Sequence, residues 1–481
     1  MYLMILQKSR LFFTYILFHF LTFAYSQDKT YLIYNAKIID VKTGKISKNK
    51  AILIENKTIK NIDSYKTLKN KAYQKIDVKG KYVIPGLWDM HVHIEGQDLI
   101  EDNKALFPIF IAHGITTVRD AASDLGLQVL KWRDEINEGK LLGPTIYTAG
   151  RKLEGLNSIW KGDLEIENES QLTKMLNYLD SLQVDFIKIT ENTLKGDLFL
   201  KSVVEAKKRG YLVSGHVPYD LTIQDLANEG FSAIEHASYL LRLGSDETES
   251  KKGIMDKSLS KAQAENNFLL NFNQEKAIKA YSALASKKVA VCPTLIGGKQ
   301  LAYLDENNHK TDDFQKYLTK RFMSNYQWRI DRMANDSPEQ KQKRKERYQL
   351  IAKQLPFVQK SGMMIIAGSD CAALNTFVYP AASLIEELAL FQESGLKPLE
   401  ILQTATLNGA KFMGKFDKMG SVDIGKIADL VILNENPLKD INAISNIFGV
   451  FTKGKYFDKK TLTQMLDEIA NKKLELDKSR E

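Results

Sequence analysis

Cysteine is nearly absent from this chain: Cys292 and Cys371 are the only two in 481 residues. A fold stapled together by disulfides is therefore excluded. Both cysteines sit near expected strand ends, so a single bridge between them stays open. No cysteine follows the N-terminal apolar run, which argues against a lipid-anchored N-terminus. No motif interleaves basic and aromatic residues in the manner of a nucleic-acid binder. The formal charge of +9 reads instead as solvated surface, for example the run KQKRKER at 341–347. No nucleic-acid partner is expected.

Long apolar runs are missing as well, with one exception. The stretch LFFTYILFHFLTFAYS follows Lys8 and Arg10 and gives way at once to QDKT. This is the layout of a secretory signal, with Ala24 and Ser26 at the cleavage point, and the run is short for a membrane span. The expectation is a signal peptide over residues 1–26 and an exported (periplasmic or extracellular) chain, without stable membrane insertion once the signal is removed. An uncleaved N-terminal membrane anchor is the alternative.

What remains is a chain long enough for one large domain and a smaller one. From Thr30 to Ile84 short alternating runs are separated by turns, and the same pattern returns in GSVDIGKIADLVILNENP and NIFGVFTKGKYF. One composite β-domain, a small β-sandwich built from both termini (27–84 and 417–481), is expected. Between the two ends, strand-like and helix-like segments alternate. Strand candidates are Val83–His93, Ile115–Asp120, Pro144–Ala149, Val184–Thr190, Leu212–Val217, Ala233–Ala237, Val289–Leu295 and Met363–Asp370. Eight such units over 85–416 predict an α/β fold, a (β/α)8 TIM barrel, whose sites collect at the C-terminal strand ends. Two stretches interrupt the rhythm: 157–170 after strand three, and a charged, helical insertion at about 297–358 after strand seven. The first is placed to lie over the mouth of the barrel; the second could cap the site or equally be a plain helical excursion.

Chemistry-bearing residues gather at those strand ends. His91 and His93 lie two apart and face the same side of a strand, so both can hold one metal ion. Lys188 ends VDFIK, His216 ends LVSGH, His236 sits in AIEHA and Asp370 ends MMIIAGSD. A lysine ammonium has no acceptor and cannot bind a metal; a buried lysine of lowered pKa can add carbon dioxide and become an anionic carbamate. The expected centre holds two divalent ions, one on His91, His93 and Asp370, the other on His216 and His236, with carboxylated Lys188 bridging them. A hydroxide shared by the ions would attack a carbonyl carbon, with Asp370 as base and then acid. The other three histidines take no part: His19 lies in the signal, His113 ends a helix and His309 lies in the insertion.

VIPGLWDMHVH, HGITTVRDAAS, GPTIYTAG, VDFIKI, SGHVP, AIEHASYL, CPTL, AGSDCA, GLKPLEILQTATLNGAKFMG and GSVDIGKIADLVILNENPLKDI together resemble the amidohydrolase superfamily. The nearest branch is the imidazolonepropionase-like and Xaa-Pro-dipeptidase-like one. The resemblance implies hydrolysis at C–N bonds, zinc as the usual metal, and a lysine carbamate at Lys188. It departs from dipeptidase-like members in RKLEGLNSIWKGD, which replaces a glycine- and histidine-rich stretch, and in HVPYD after strand five. Tyr219 and Arg151, just past strand ends, are candidates for contact with substrate polar groups.

The leading expectation is a metal-dependent hydrolase that cleaves a C–N bond in a small amide, lactam, carbamate or dipeptide-like substrate. A mononuclear deaminase or cyclic-amide hydrolase, with Lys188 uncarboxylated, is the second enzyme reading. A catalytically silent binding module is the reading of another class. The sequence leaves a homo-oligomer open.

Overall fold

The computed structural model describes residues 30–480, so the expected signal at 1–26 lies outside the described residues. Strands from both ends of the chain form one eight-stranded sheet. Its order is Lys455–Asp458, Ile447–Thr452, Leu430–Leu433, Tyr82–Pro85, Tyr31–Ile39, Ile46–Glu55 and Thr58–Asp63, with Gln74–Asp77 also on Tyr31–Ile39. Tyr82–Pro85 is the seam. It runs antiparallel to Leu430–Leu433, pairing Val83 with Ile432, and parallel to Tyr31–Ile39, pairing Lys37 with Tyr82.

Alternation along these strands decides which core each side chain enters. Val83, Leu430 and Ile432 join Ile33, Ile54 and Phe451 in a small core, whereas Ile84, Val431 and Leu433 face the main core. A sandwich of two sheets was expected; the strands instead make one sheet bent over itself. The rings of Tyr31 and Phe451 meet edge to face at 5.5 Å although two strands separate theirs in the sheet order. In a flat sheet, three steps of about 4.8 Å would hold them far apart.

The middle of the chain is a TIM-barrel-like α/β fold. Leu87–Val92, Ile115–Asp120 and Thr145–Thr148 pair in parallel, as do Ile187–Ile189, Val213–Gly215, Ala233–Glu235, Ala290–Cys292 and Met364–Ile365. Each lies within an expected strand. The first and last come together where Met90 N donates to Ala367 O at 2.8 Å and Val92 bridges Cys371. The run expected as one strand from Val83 to His93 is cut at Gly86, and its two halves belong to different sheets. A side chain at Gly86 would collide with Thr116, whose Oγ1 lies 2.1 Å from the ideal Cβ position. The chain turns there against its neighbour with no room to spare.

Ile447–Thr452 and Lys455–Asp458 fill the last expected β segment, and the rest of the expected β-domain beyond it is a helix. Lys459–Lys478 starts at Asp458, whose side chain accepts from Thr461 N. Leu462, Met465 and Ile469 recur at helical spacing and enter the main core, against the helix Ile100–Ala112. In the insertion, Pro338 opens a helix (Pro338–Ala352), at its first turn after the N-cap Ser337. Cys292 and Cys371 are both buried and free. Among the described residues, no helix is long and apolar enough to cross a membrane.

Candidate metal centre

Short parallel strands bring the expected ligands to one end of the fold. His91 Nε2 and His93 Nε2 are 3.2 Å apart, and Asp370 Oδ1 lies 3.3 Å from the first and 3.2 Å from the second. His216 Nε2 and His236 Nε2 are 3.1 Å apart. The two pairs adjoin, with the rings of His91 and His236 centred 5.0 Å apart. Ligand atoms of His91, His236 and Asp370 all fall within 4.8 Å of one another.

The other ring nitrogens fix what these Nε2 atoms are. His91 Nδ1 faces Glu235 Oε2 at 2.7 Å, His93 Nδ1 faces Ala122 O at 2.8 Å, and His216 Nδ1 faces Glu191 Oε2 at 2.9 Å. These partners are acceptors, so each Nδ1 carries the hydrogen and each neutral ring presents its Nε2 lone pair. His236 Nδ1 meets the Thr294 hydroxyl at 2.7 Å. Lone pairs directed at one another and at a carboxylate repel unless a cation lies among them. Such back-side support of imidazoles is also what metal ligands require.

Electrostatics favour the neutral ring at His91 and His236, whereas at His93 the hydrogen bond and charge of Asp370 outweigh burial and raise the pKa. Burial, helped by Lys188, lowers the His91 pKa to about 4 against the opposing pull of Glu235 and Asp370. Burial likewise holds His236 well below the ordinary imidazole range. Burial alone would raise the carboxyls, but Arg119, His91 and Lys188 outweigh it at Glu235, and His91, His93 and His236 do so at Asp370. Both acids stay ionised.

Lys188 completes the set. Its Nζ is buried and has no hydrogen-bond partner among the described residues, and burial lowers its pKa to about 8. A fully buried ammonium without a partner is costly, so this nitrogen is one that carbamate formation would satisfy. The donors fit a pair of divalent cations: neutral imidazoles, one ionised carboxylate and a lysine able to become anionic. Two ligand-bearing positions also take left-handed backbone, His236 at φ 76° and Asp370 at φ 61°. Non-glycine residues there cost of order 1–3 kcal/mol each, and such strain clusters at functional sites.

A cleft of about 590 Å3 opens onto this cluster; His93, Lys188, His216, His236 and Asp370 line it. Its outer wall comes from the two stretches that interrupt the barrel rhythm. Trp160 lies in the segment after strand three and Trp328 in the insertion, and their indoles meet edge to face at 5.8 Å. Arg329 stands beside Trp328.

Two expected substrate contacts do not line the cleft. Arg151 spends its guanidinium on the carbonyls of Gly162 and Asp163. Tyr219 bonds Glu265, and its ring stacks near Phe268. The supporting residues Glu235, Glu191 and Thr294, and the wall residues Trp160, Trp328 and Arg329, were not singled out from the sequence. Glu235 did leave a signal there: a carboxylate next to a candidate ligand at the end of an apolar strand.

The sequence profile of the amidohydrolase family matches residues 82–456. Imidazolonepropionase of Thermoplasma volcanium is 34% identical over 97 residues, which cover 20% of this chain and 22% of that relative's length. Among solved structures, a Xaa-Pro dipeptidase with bound methionine superposes with a TM-score of 0.64 at 22% identity, covering 89% of this chain and 100% of the other. Bottromycin amidohydrolase gives 0.70 at 16% identity, over 92% and 90%. Ochratoxinase of A. niger gives 0.61 at 18% identity, over 90% and 96%.

Proposed function

The chain belongs to the amidohydrolase family, and from that premise we propose that this hydrolase of C–N bonds works through a binuclear metal centre. The ligands are His91, His93 and Asp370 for one ion and His216 and His236 for the other, with carboxylated Lys188 between them. The observation that carries the reading is the facing of Nε2 lone pairs, 3.2 Å apart at His91–His93 and 3.1 Å apart at His216–His236, beside an unpartnered buried Lys188 nitrogen. Zinc is the metal proposed, since imidazole and carboxylate donors suit it. Two bound divalent ions would supply Lewis acidity, making water acidic near neutral pH and polarising a substrate carbonyl.

The protein's own part is positioning and proton transfer. Glu235, Ala122, Glu191 and Thr294 hold the imidazoles from behind, so that the Nε2 atoms keep their direction. Asp370 Oδ1 is committed to His91 and His93. Oδ2 lies 3.9 Å from His236 Nδ1, too far for a hydrogen bond, and is the atom left to take a proton from the attacking water and return it to the departing nitrogen. The substrate class is a small amide, lactam, carbamate or dipeptide-like molecule. The reading includes closure of the eight parallel strands into one ring, supported by the contacts of Met90 with Ala367 and of Asp185 N with Thr148 O at 2.9 Å. It also includes export, supported by the signal-like residues 1–26.

Metal content per chain tests the centre directly, in protein grown with added zinc and bicarbonate, beside Lys188→Ala. Two ions in the parent and a clear loss in the variant are expected. One ion in both would remove Lys188 from the bridge and leave the mononuclear deaminase or cyclic-amide reading.

A further inference from the structure

Among the described residues, Arg329 has no ion-pair partner. Its residue lines the cleft, and among the described residues no carboxylate lies within ion-pair distance of its guanidinium. The acids that share the cleft face other groups: Asp370 lies against His91 and His93, and Asp98 stands 4.0 Å from Arg321. Asp163 pairs with Lys152 at 3.2 Å, Asp124 Oδ1 accepts from Gly96 N at 2.8 Å, and Glu95 Oε1 accepts from Leu374 N at 3.1 Å.

The guanidinium's own bonds show which edge is spent. Nε donates to Leu374 O at 3.1 Å and Nη2 donates to the Asn375 side-chain oxygen. Both face one loop, the one that follows Asp370. The opposite edge, Nη1 with the second hydrogen of Nη2, makes no hydrogen bond among the described residues. That edge is a planar fork whose geometry matches a carboxylate. Burial lowers the pKa of this arginine from its ordinary value, and Asp370 and Glu95 act to raise it; the group remains charged. A half-buried cation whose free fork opens into the cleft favours an anion.

The fork does not stand alone. The Trp328 ring lies against it, with the guanidinium carbon 4.9 Å from the ring centroid. Trp328 is held by its own bond to Leu374 O at 3.1 Å, and Trp160 meets it at an interplanar angle of 81°. Two indoles at nearly a right angle make an aromatic corner among cations: Arg329 and Arg332 lie over Trp328, and Lys152, already paired with Asp163, lies over Trp160.

We propose that Arg329, Trp160 and Trp328 form a specificity subsite for a substrate bearing a carboxylate, with the charge on the free fork and the adjoining apolar group against the indoles. This rests on the cleft being the substrate site of the hydrolase described above, and it narrows that site's substrates to N-acylated amino acids and related acids. The subsite is built by the two segments that interrupt the barrel rhythm.

Calorimetric titration of the metal-loaded enzyme with 3-phenylpropionate and with 3-phenylpropanol tests it. Neither probe has a C–N bond, so binding is read apart from turnover. The parent is expected to bind the acid on the order of tenfold or more tightly than the alcohol, the scale of a charge-assisted pair. Arg329→Gln brings that ratio close to one, and Arg329→Lys keeps only part of it. Trp160→Leu, on a different segment and without contact to the Arg329 loop bonds, weakens both probes alike and keeps the ratio.

Equal binding of the two probes by the parent, or no binding, overturns the proposal. So does an acid preference that survives in Arg329→Gln, since the metals would then hold the carboxylate. Hydrolysis of N-acetylphenylalanine in the same preparations separates the two readings. Acid-selective binding without any C–N hydrolysis faults the enzymatic assignment and leaves the subsite. Hydrolysis without acid selectivity does the reverse.

Discussion

Glu235 and His91 meet at 2.7 Å with neither side chain exposed, and the other oxygen of Glu235 meets Arg119 at 2.6 Å. One buried carboxylate thus serves two cations or donors at once. It fixes the tautomer of a ligand histidine and balances a guanidinium that also donates to Met90 O at 2.6 Å. The ion pair beneath the site and the ligand above it form one hydrogen-bonded unit.

Glu235→Ala should therefore cost both stability and metal. Leaving Arg119 enclosed without its partner is expected to lower unfolding free energy by about 3–5 kcal/mol. The milder Glu235→Gln should weaken metal affinity about 10–100-fold. Urea unfolding and competition with a chelator give the two numbers. An unchanged affinity in Glu235→Gln would show that His91 needs no support from behind.

Gly86→Ala should be among the most damaging substitutions outside the centre. Its Cβ would sit 2.1 Å from Thr116 Oγ1 and 2.6 Å from Cγ2, and overpacking of this kind costs about 1–3 kcal/mol or more. Adding Thr116→Ala removes both atoms and should restore part of the loss, as seen in the thermal midpoint. Full additivity of the two changes would contradict the contact.

Asp429 gives a pH dependence with a definite sign. Burial raises its pKa from 3.8 to about 6. The folded protein therefore holds this proton more tightly than the unfolded chain. Its contribution is fully present below the unfolded value and is lost as pH rises through about 6. The difference corresponds to about 3 kcal/mol between acid and neutral conditions. Asp429→Asn keeps an acceptor for Lys453 N, which lies 2.6 Å from Oδ1, and should flatten unfolding stability between about pH 4 and 6. A parent whose stability rises over that window on account of this residue would reverse the argument.

The outer wall can be tested as a contact between two distant segments. Trp160→Ala and Trp328→Ala should be non-additive, with a coupling of about 0.5–1.5 kcal/mol from the edge-to-face pair. Binding of an aromatic probe to the parent, each single variant and the double variant measures it. Strict additivity would mean that the two segments close over the cleft independently.

The gathering of the candidate ligands was legible because their signal is local. Each of His91, Lys188, His216, His236 and Asp370 lies at or just past the end of a short apolar run, and an eight-unit alternation turns such ends into one surface. The cleft wall was not legible in that way. Trp160 and Trp328 meet through two irregular segments whose paths no periodicity fixes, and Arg329 is defined by a contact with Leu374 and Asn375 from elsewhere in the chain. Arg151 and Tyr219 were drawn from closeness to strand ends, which says nothing of direction. One turns back into its own loop and the other finds Glu265. The cut at Gly86 shows the same limit: an unbroken apolar run carries no mark of where its neighbours change sheet.

The seam strand Tyr82–Pro85 has a consequence for the order in which the fold is completed. One of its edges pairs with Tyr31–Ile39, made earlier, and the other with Leu430–Leu433, made about 345 residues later. Until residues 430–433 emerge, that second edge has unpaired N–H and C=O groups beside apolar Val83 and Ile84. Such an edge invites pairing with a neighbouring nascent chain. The whole barrel is translated while it waits. Any delay in the arrival of residues 430–433 would therefore prolong the interval in which this protein is open to misassembly, whatever the stability of the finished molecule.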